Sequence, residues 1–157
     1  MDKQNIINML NKDRANELIA ILQYMNHYYR VTGQDFLSLR NLFKELGIVE
    51  MQHAEKLAER ISTLGGQPIS KAQAISQFTD LTVNEADSMH EMIDANLDYE
   101  QRAINDYSEH IQIIGDNDPV TRNMLEDILG QEEEHAHDLS SWLGKRDISF
   151  KLRAVGE

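Results

Sequence analysis

Apolar residues recur at alternating three- and four-residue spacing along four long segments of the chain, as they do in helices that pack side by side. Each apolar stripe is interrupted by a glutamate at a core-facing position, and two of the stripes also by a histidine. The interrupting residues are Glu17, Glu50, His53, Glu100, Glu132 and His135. Only eight Gly and two Pro occur in 157 residues, which favours long helices over an all-β fold. The chain therefore predicts one all-α domain with a polar layer inside its core.

Start and stop signals divide the chain into four helices joined by one long connection. Gly33 and the pair that begins at Gly65 end the first two helices, and Asp118 ahead of a proline begins the last. Thr82 with Glu85 matches a capping box and predicts the start of the third helix. The predicted helices cover 3–32, 35–64, 82–114 and 118–143, with a crossover over 65–81 that includes a short helix in SKAQAISQF, and a C-terminal tail over 144–157. The same spacing places Trp142 on the core stripe of the fourth helix.

The six polar core residues call for positive charge. An ionised carboxylate buried without a partner costs several kcal/mol or more, and Arg14 is the one basic residue close to the stripes. The chain has no cysteine, which excludes thiolate metal sites, iron–sulfur clusters and disulfides. Metal ions held by carboxylate oxygen and imidazole are the expected partners, and six ligands are enough for two ions.

The spacing of these residues repeats within the chain. Glu17 precedes the Glu-x-x-His of Glu50 and His53 by 33 residues, and Glu100 precedes that of Glu132 by 32. Residues three apart share a helix face, so each Glu-x-x-His directs a carboxylate and an imidazole to one point, and the lone glutamates of the first and third helices are expected to bridge the ions. A further Glu-x-x-His, Glu134 with His137, lies about 200° further round the helix and is expected to face outward.

Tyrosines and other histidines near the stripes have less specific roles. Tyr24 lies seven residues after Glu17 and Tyr107 seven after Glu100, so each is placed to hydrogen-bond a ligand or to pack as a core tyrosine, and Tyr24 also to donate an electron. The histidines without an in-phase carboxylate near the six residues are expected on the surface or in helix packing. They are His27, His90 and His110.

The segments NELIAILQY, EMQHAEKLAERI and ILGQEEEHAHDLSSWL closely resemble the corresponding helices of bacterioferritins. One Glu from each of two helices plus Glu-x-x-His from each of the other two is also the di-iron or di-manganese arrangement of ferritin-like bundles. The resemblance implies a ferritin-like antiparallel four-helix bundle with two iron ions per subunit, which oxidises Fe(II) with dioxygen or peroxide and stores ferric mineral in a homo-oligomeric shell. It implies that the six residues named above are the metal ligands and that Tyr24 lies beside them. The same ligands hold manganese, so manganese is an alternative.

The resemblance also bears on haem and on shell size. Met51 matches the haem ligand of bacterioferritins, which implies haem b shared across a two-fold dimer interface, with ordinary methionine packing as the alternative. Glu45 and Val49 stand where bacterioferritins with an accessory inner-surface iron site carry His and Asp, so that site is not expected. The long crossover and short tail resemble dodecameric mini-ferritins of the starvation-protection type, so shells of 24 and of 12 subunits are both retained.

Charge and hydropathy exclude other classes. A formal net charge of −12 disfavours nucleic-acid binding, and the basic residues Lys145, Arg146, Lys151 and Arg153 are expected to belong to a solvated tail. No apolar run reaches membrane-spanning length and no secretory signal begins the chain, which predicts a cytoplasmic location. The alternatives retained are a peroxide-detoxifying enzyme similar to rubrerythrin or manganese catalase, and a DNA-protecting mini-ferritin.

Overall fold

A computed structural model describes residues 2–144 of the chain, and these form a bundle of four long helices without any strand. The predicted tail and its basic residues Lys145, Arg146, Lys151 and Arg153 lie outside the described residues, apart from Gly144 at the start of the tail. The helices are α1 (Lys3–Arg30), α2 (Phe36–Thr63), the short α3 (Ala72–Ile75), α4 (Met89–Ile114) and α5 (Pro119–Trp142), with a 3₁₀ turn at Gly115–Asn117. Among these helices, none has the length and hydropathy that a membrane crossing requires.

The start of α5 agrees with its predicted signal. The side chain of Asp118 accepts a hydrogen bond from the backbone N–H of Thr121 at 3.0 Å, with Pro119 in the first helical position. The guanidinium of Arg60, in the last turn of α2, donates to both carboxylate oxygens of Asp118 at 2.9 and 2.8 Å. The N-terminus of α5 is thereby fixed against the C-terminal end of α2.

The third long helix begins at Met89, so the predicted start at residue 82 is wrong. Ser88 caps α4 and forms a capping box with Glu91, whereas Thr82 lies in extended chain. The carbonyl of Thr82 accepts from the hydroxyl of Tyr99 at 2.8 Å, and both backbone groups of Asn84 bond side chains of α1. A helix over 82–88 would use these backbone groups for its own hydrogen bonds, but here they bond side chains of other segments. The crossover therefore extends to residue 88.

The crossover runs the length of the bundle, because α2 and α4 point in the same direction. It is attached to α1 at its beginning by Asn11, which donates to the carbonyl of Gln67 at 3.2 Å and accepts from the N–H of Ile69 at 3.0 Å. Helix α1 packs closely on α2, and α4 on α5, as two antiparallel pairs. The predicted short helix lies within the crossover as α3.

Two apolar clusters lie at opposite ends of the bundle. One is built on residues such as Leu39, Phe43 and Leu139, and the other on residues such as Leu10, Leu57 and Leu125. Trp142, predicted in the core, is 38% exposed. Because α5 ends at Trp142, the chain turns there and Leu143 packs against the first cluster instead.

Candidate metal centre

The six polar residues of the stripes meet in a layer between the two apolar clusters. Each lies near the middle of its helix, and none is more than 6% exposed. They sort into two groups of four whose ligand atoms lie within 4.8 Å of one another. The first group is Glu17, Glu50, His53 and Glu132, and the second is Glu50, Glu100, Glu132 and His135. The structure thus brings together all six residues that the spacing predicts.

Glu50 and Glu132 belong to both groups, whereas the lone glutamates Glu17 and Glu100 each belong to one. This grouping places Glu50 and Glu132, rather than the lone glutamates expected from the sequence, where a ligand could bridge two ions. The reason is that α2 and α5 carry both imidazoles, and the Glu50 carboxylate reaches each of them, at 3.0 Å from Nδ1 of His53 and 3.1 Å from Nδ1 of His135. Glu50 and Glu132, the glutamates of the two Glu-x-x-His motifs, therefore lie at the centre of the layer. Glu17 on α1 and Glu100 on α4 lie at its two sides.

Several ligand atoms at the centre of the layer have no hydrogen-bond partner. Both oxygens of Glu132, Oε1 of Glu50 and Nδ1 of His135 are buried in this state. Yet Nδ1 of His53 is 2.9 Å from Oε1 of Glu132, and Nδ1 of His135 is 3.5 Å from its Oε2. These donor and acceptor atoms converge on one buried space, and a cavity of ≈ 20 Å³ is lined in part by the four carboxylates of the layer. Divalent cations fit this set of oxygen and imidazole donors.

Arg14 does not supply the missing charge. Its guanidinium donates to the carbonyl of Ala54 within α2 and to that of Ile69 in the crossover, and so attaches the start of the crossover to the bundle. The carboxylates of the layer are left with the two histidines as their cationic partners in the metal-free protein.

Burial and mutual repulsion shift the titration of these groups. Burial, and then the charge of Glu132, raise the pKa of Glu17 well above its usual value and that of Glu100 to about 8. Burial lowers the pKa of His53, but the adjacent carboxylates of Glu132 and Glu50 outweigh burial and raise it to about 10. The pKa of His135 is raised in the same way by its three neighbouring carboxylates. The metal-free layer therefore holds protons that metal ions would displace.

Each flanking glutamate accepts a hydrogen bond from a buried tyrosine. The hydroxyl of Tyr24 donates to Oε1 of Glu100, and that of Tyr107 donates to Oε1 of Glu17. Tyr24 therefore contacts a candidate ligand from the other half of the chain, and Tyr107 makes the matching contact. Helical phase predicts the correct face for each tyrosine but cannot pair it with a glutamate of another helix.

Gln131 is a residue of the site that the sequence analysis missed. Its Oε1 lies 3.0 Å from Nε2 of His53. Gln131 is on α5 and directly precedes Glu132, whereas His53 is on α2, so only the packing of the two helices brings them together. The stripe pattern, which compares positions within one helix, carries no signal for this contact.

The remaining histidines lie away from the six residues. His137 and Glu134 are exposed, as predicted from helical phase. His110 is buried beside Asp13, with Nδ1 2.9 Å from Oδ2, and His27 is buried with Nε2 2.8 Å from the carbonyl of Asn84. These two are the helix-packing histidines of the prediction, and His90 is exposed.

Met51 lies on the outer face of α2 and is 56% exposed. Its side chain points away from the buried layer that its neighbour Glu50 enters. Haem binding through Met51 stays a prediction.

Comparison with known proteins places these observations in a family. The family model for the ferritin-like domain, Ferritin, matches residues 7–148. Bacterioferritin from Desulfovibrio desulfuricans is 36% identical over 136 residues, 86% of this chain and 71% of its own length. Its solved structure, with a diiron site in different catalytic states, superposes with a TM-score of 0.80 at 33% identity, covering 89% of this chain and 78% of that one.

Two further relatives carry other names. A dodecameric thioferritin, the bacterioferritin-related protein from Bacteroides fragilis, gives a TM-score of 0.87 at 27% identity over 92% of this chain and 87% of that one. DNA protection during starvation protein 2 from Bacillus anthracis is 27% identical over 150 residues, 92% of this chain and 100% of its own length. With its antiparallel four-helix bundle, long crossover and buried carboxylate–histidine layer, the chain belongs to the ferritin-like family.

Proposed function

We propose that this protein is a ferroxidase that oxidises Fe(II) to Fe(III) at a di-iron site within each subunit and stores the ferric product in a homo-oligomeric shell. The observation that supports this most strongly is the pair of buried carboxylates shared between two ligand groups, with oxygens that no protein donor satisfies. On this proposal Glu17 with His53 and Glu100 with His135 bind one ferrous ion each, and Glu50 with Glu132 bind both.

The chemistry follows from the ligand types. Carboxylate oxygens stabilise the ferric product more than the ferrous substrate, which makes loss of an electron easier at this site. Two ferrous ions held side by side supply two electrons together, which, with two protons, reduce dioxygen to hydrogen peroxide. Tyr24 and Tyr107 hold the flanking carboxylates in place, and the surrounding apolar clusters limit access of bulk water.

The shell is part of the proposal. Ferric oxide must be confined to stay soluble, and the relatives include both bacterioferritin and a dodecameric protein. The family resemblance supports a cage of 12 or 24 copies, in a cytoplasmic setting, with haem at Met51 as an option to be tested by the visible spectrum of the purified protein.

The test is aerobic stopped-flow oxidation of Fe(II) by the wild-type protein and by a variant that combines Glu50→Ala with Glu132→Ala. We expect rapid oxidation to be lost in the variant, because each ion loses two of its four ligands. The fold should persist, since removing like charges from a core relieves repulsion. The matched control combines Glu133→Ala with Glu134→Ala on the outer side of α5 and should oxidise iron like the wild type. Wild-type rates in the first variant, with its assembly intact, would exclude a dinuclear site at these residues.

DNA protection is the second function that the comparisons raise, through the name of the Bacillus anthracis relative. The formal net charge of −12 repels a DNA backbone unless basic residues are segregated from it. We therefore expect no band shift with duplex DNA in a gel at low or moderate salt. A shift that weakens with salt would instead add DNA binding to the proposed function.

A further inference from the structure

The two halves of the metal centre are related by approximate two-fold symmetry, and one contact breaks it. The flanking glutamates are matched, since each accepts from a tyrosine of the opposite half. The histidines are not matched. Nε2 of His53 lies 3.0 Å from Oε1 of Gln131, whereas no hydrogen bond joins Nε2 of His135 to any group among residues 2–144. This difference concerns the side of each imidazole that faces away from the carboxylates.

The amide of Gln131 is itself oriented. Its Nε2 donates to the carbonyl of Asp127, one turn earlier on α5, at 3.4 Å. With the donor group used there, Oε1 is the atom presented to His53 and can only accept. Nε2 of His53 must therefore carry a proton, which leaves Nδ1 as the nitrogen that offers a lone pair to a metal ion. Nδ1 is also the atom that lies 2.9 Å from Glu132.

The symmetry-related position explains why His135 lacks such a partner. Gln131 directly precedes Glu132, and the residue that directly precedes Glu50 is Val49. A valine side chain has no acceptor, so nothing at this position can fix the orientation of His135. Counting side-chain atoms alone, His135 is 8% exposed, whereas the side chain of His53 is fully buried.

We propose that Gln131 is a positioning residue that fixes His53 with Nδ1 toward the centre, and that the valine opposite His135 makes the two metal positions unequal. The position formed by Glu17 and His53 is then the tighter one, and the position formed by Glu100 and His135 the weaker. This inference rests on the proposed di-iron site. It concerns affinity and ligand orientation, so it can be measured without iron oxidation.

The experiment is an anaerobic titration of the full-length protein with Co²⁺, which accepts the same ligands as Fe²⁺ and reports binding through its visible bands. We expect two ions per chain to bind in two separate steps. In Gln131→Leu the first step should weaken about 10-fold or more, the usual effect of losing a partner of a metal-bound histidine, and the steps should merge. Gln112→Leu, on the exposed side of α4, is the control and should titrate like the wild type.

A spectroscopic measurement separates positioning from a general loss of packing. In the proton NMR spectrum of the Co²⁺ protein, the Nε2 proton of a metal-bound histidine is strongly shifted. We expect one such proton, that of His53, to exchange slowly with water, and to exchange rapidly in Gln131→Leu. Val49→Gln supplies the missing acceptor and should slow exchange of a second proton and strengthen the second binding step.

The outcomes are distinct. If the wild type binds fewer than two Co²⁺ ions per chain, the di-iron proposal fails and this inference fails with it. If it binds two, but Gln131→Leu retains both the separate steps and the slowly exchanging proton, the di-iron site stands and the role of Gln131 is refuted. If the second Co²⁺-binding step is unchanged in Val49→Gln, the weaker binding beside His135 is not caused by the lack of an acceptor at residue 49.

Discussion

The apolar ends of the bundle differ from the layer between them in what burial does to the free energy of unfolding. At the ends, Leu39 and Leu125 are fully buried, and each contributes favourable transfer from water and close packing. In the layer, Glu50 and Glu132 are just as buried, but oxygens of both have no hydrogen-bond partner and only two histidines offset the charge of the carboxylates, so burial there is unfavourable until metal ions bind. The ends therefore explain why the chain folds, and the layer indicates what the fold is for.

The largest effect on stability is expected at the ends. Leu125→Ala and Leu39→Ala should each lower the free energy of unfolding by about 2–5 kcal/mol, because each leaves a cavity in a close-packed cluster. Fe(II) oxidation per folded subunit should stay near the wild-type rate, since Leu125 lies two helical turns from Glu132. Chemical denaturation and stopped-flow oxidation on the same samples test this. A variant that keeps its stability but loses oxidation would show that the ends and the layer are not separate.

Within the layer, the two neighbouring histidines of α5 give the sharpest contrast. His135→Ala should slow Fe(II) oxidation by about 100-fold or more, because it removes a metal ligand itself. Loss of a residue that only hydrogen-bonds a metal ligand has a smaller effect. His137→Ala, two residues further on and exposed, should change the rate by less than about twofold, which is within the ordinary variation for surface substitutions. Stopped-flow traces at matched protein concentration decide between them. Equal losses of activity would mean that the buried face of α5 has been assigned incorrectly.

Metal binding should stabilise the layer in a manner that depends on pH. Without metal, the pKa of Glu100 is raised by burial to about 8 and that of Glu17 is raised as well, so each is protonated in the folded protein at pH values where the unfolded chain has lost its proton. A raised folded-state pKa gives stability that is lost as pH rises from the unfolded value toward the folded one. The metal-free protein should therefore become less stable between about pH 5 and pH 8.

Metal ions compete with these protons and bind the folded state, so they should raise the melting temperature more at pH 8 than at pH 5. Each kcal/mol of added stability corresponds to about 2–4 °C for a chain of this size. Thermal melts with and without Mn²⁺ at both pH values, or with Fe²⁺ under anaerobic conditions, measure the difference. A metal-induced rise that is greater at pH 5 would contradict a carboxylate centre that takes up protons when empty.

Among the residues of the layer and their direct partners, the smallest effect is expected at the tyrosines, and it distinguishes two roles for Tyr24. Tyr24→Phe and Tyr107→Phe each remove one hydrogen bond to a flanking carboxylate, worth about 1.5 kcal/mol. If both tyrosines only position a carboxylate, oxidation should slow by a similar factor of about ten or less in each variant. A much larger loss in Tyr24→Phe alone would assign electron donation to Tyr24, and a tyrosyl radical signal in freeze-quenched wild-type protein would support that.

The residues of the layer could be predicted from the sequence, but the contacts between them could not. Periodicity within each helix located all six residues of the layer, because a polar residue on an apolar stripe stands out regardless of how the helices are arranged. It could not tell which glutamates are shared, since that depends on how α2 faces α5. The contact between Gln131 and His53 was missed for the same reason.

The other errors concern helix ends. Thr82 with Glu85 and Ser88 with Glu91 both match a capping box, and only the second is formed, because Tyr99 and residues of α1 bond the chain around Asn84. Trp142 is on the predicted stripe, but it is the last residue of α5 and lies beyond the apolar cluster, so it is partly exposed. In both cases tertiary contacts decide between local patterns that are equally favourable in sequence.

If each subunit holds two metal ions that share Glu50 and Glu132, both ions can be located by diffraction. The most direct measurement is anomalous diffraction at the iron absorption edge from crystals loaded with Fe²⁺ under anaerobic conditions. We expect two peaks per subunit, about 3.5–4 Å apart as in other two-metal sites, one beside Glu17 and His53 and the other beside Glu100 and His135. A single peak, or peaks only at exposed carboxylates such as Glu134, would contradict it.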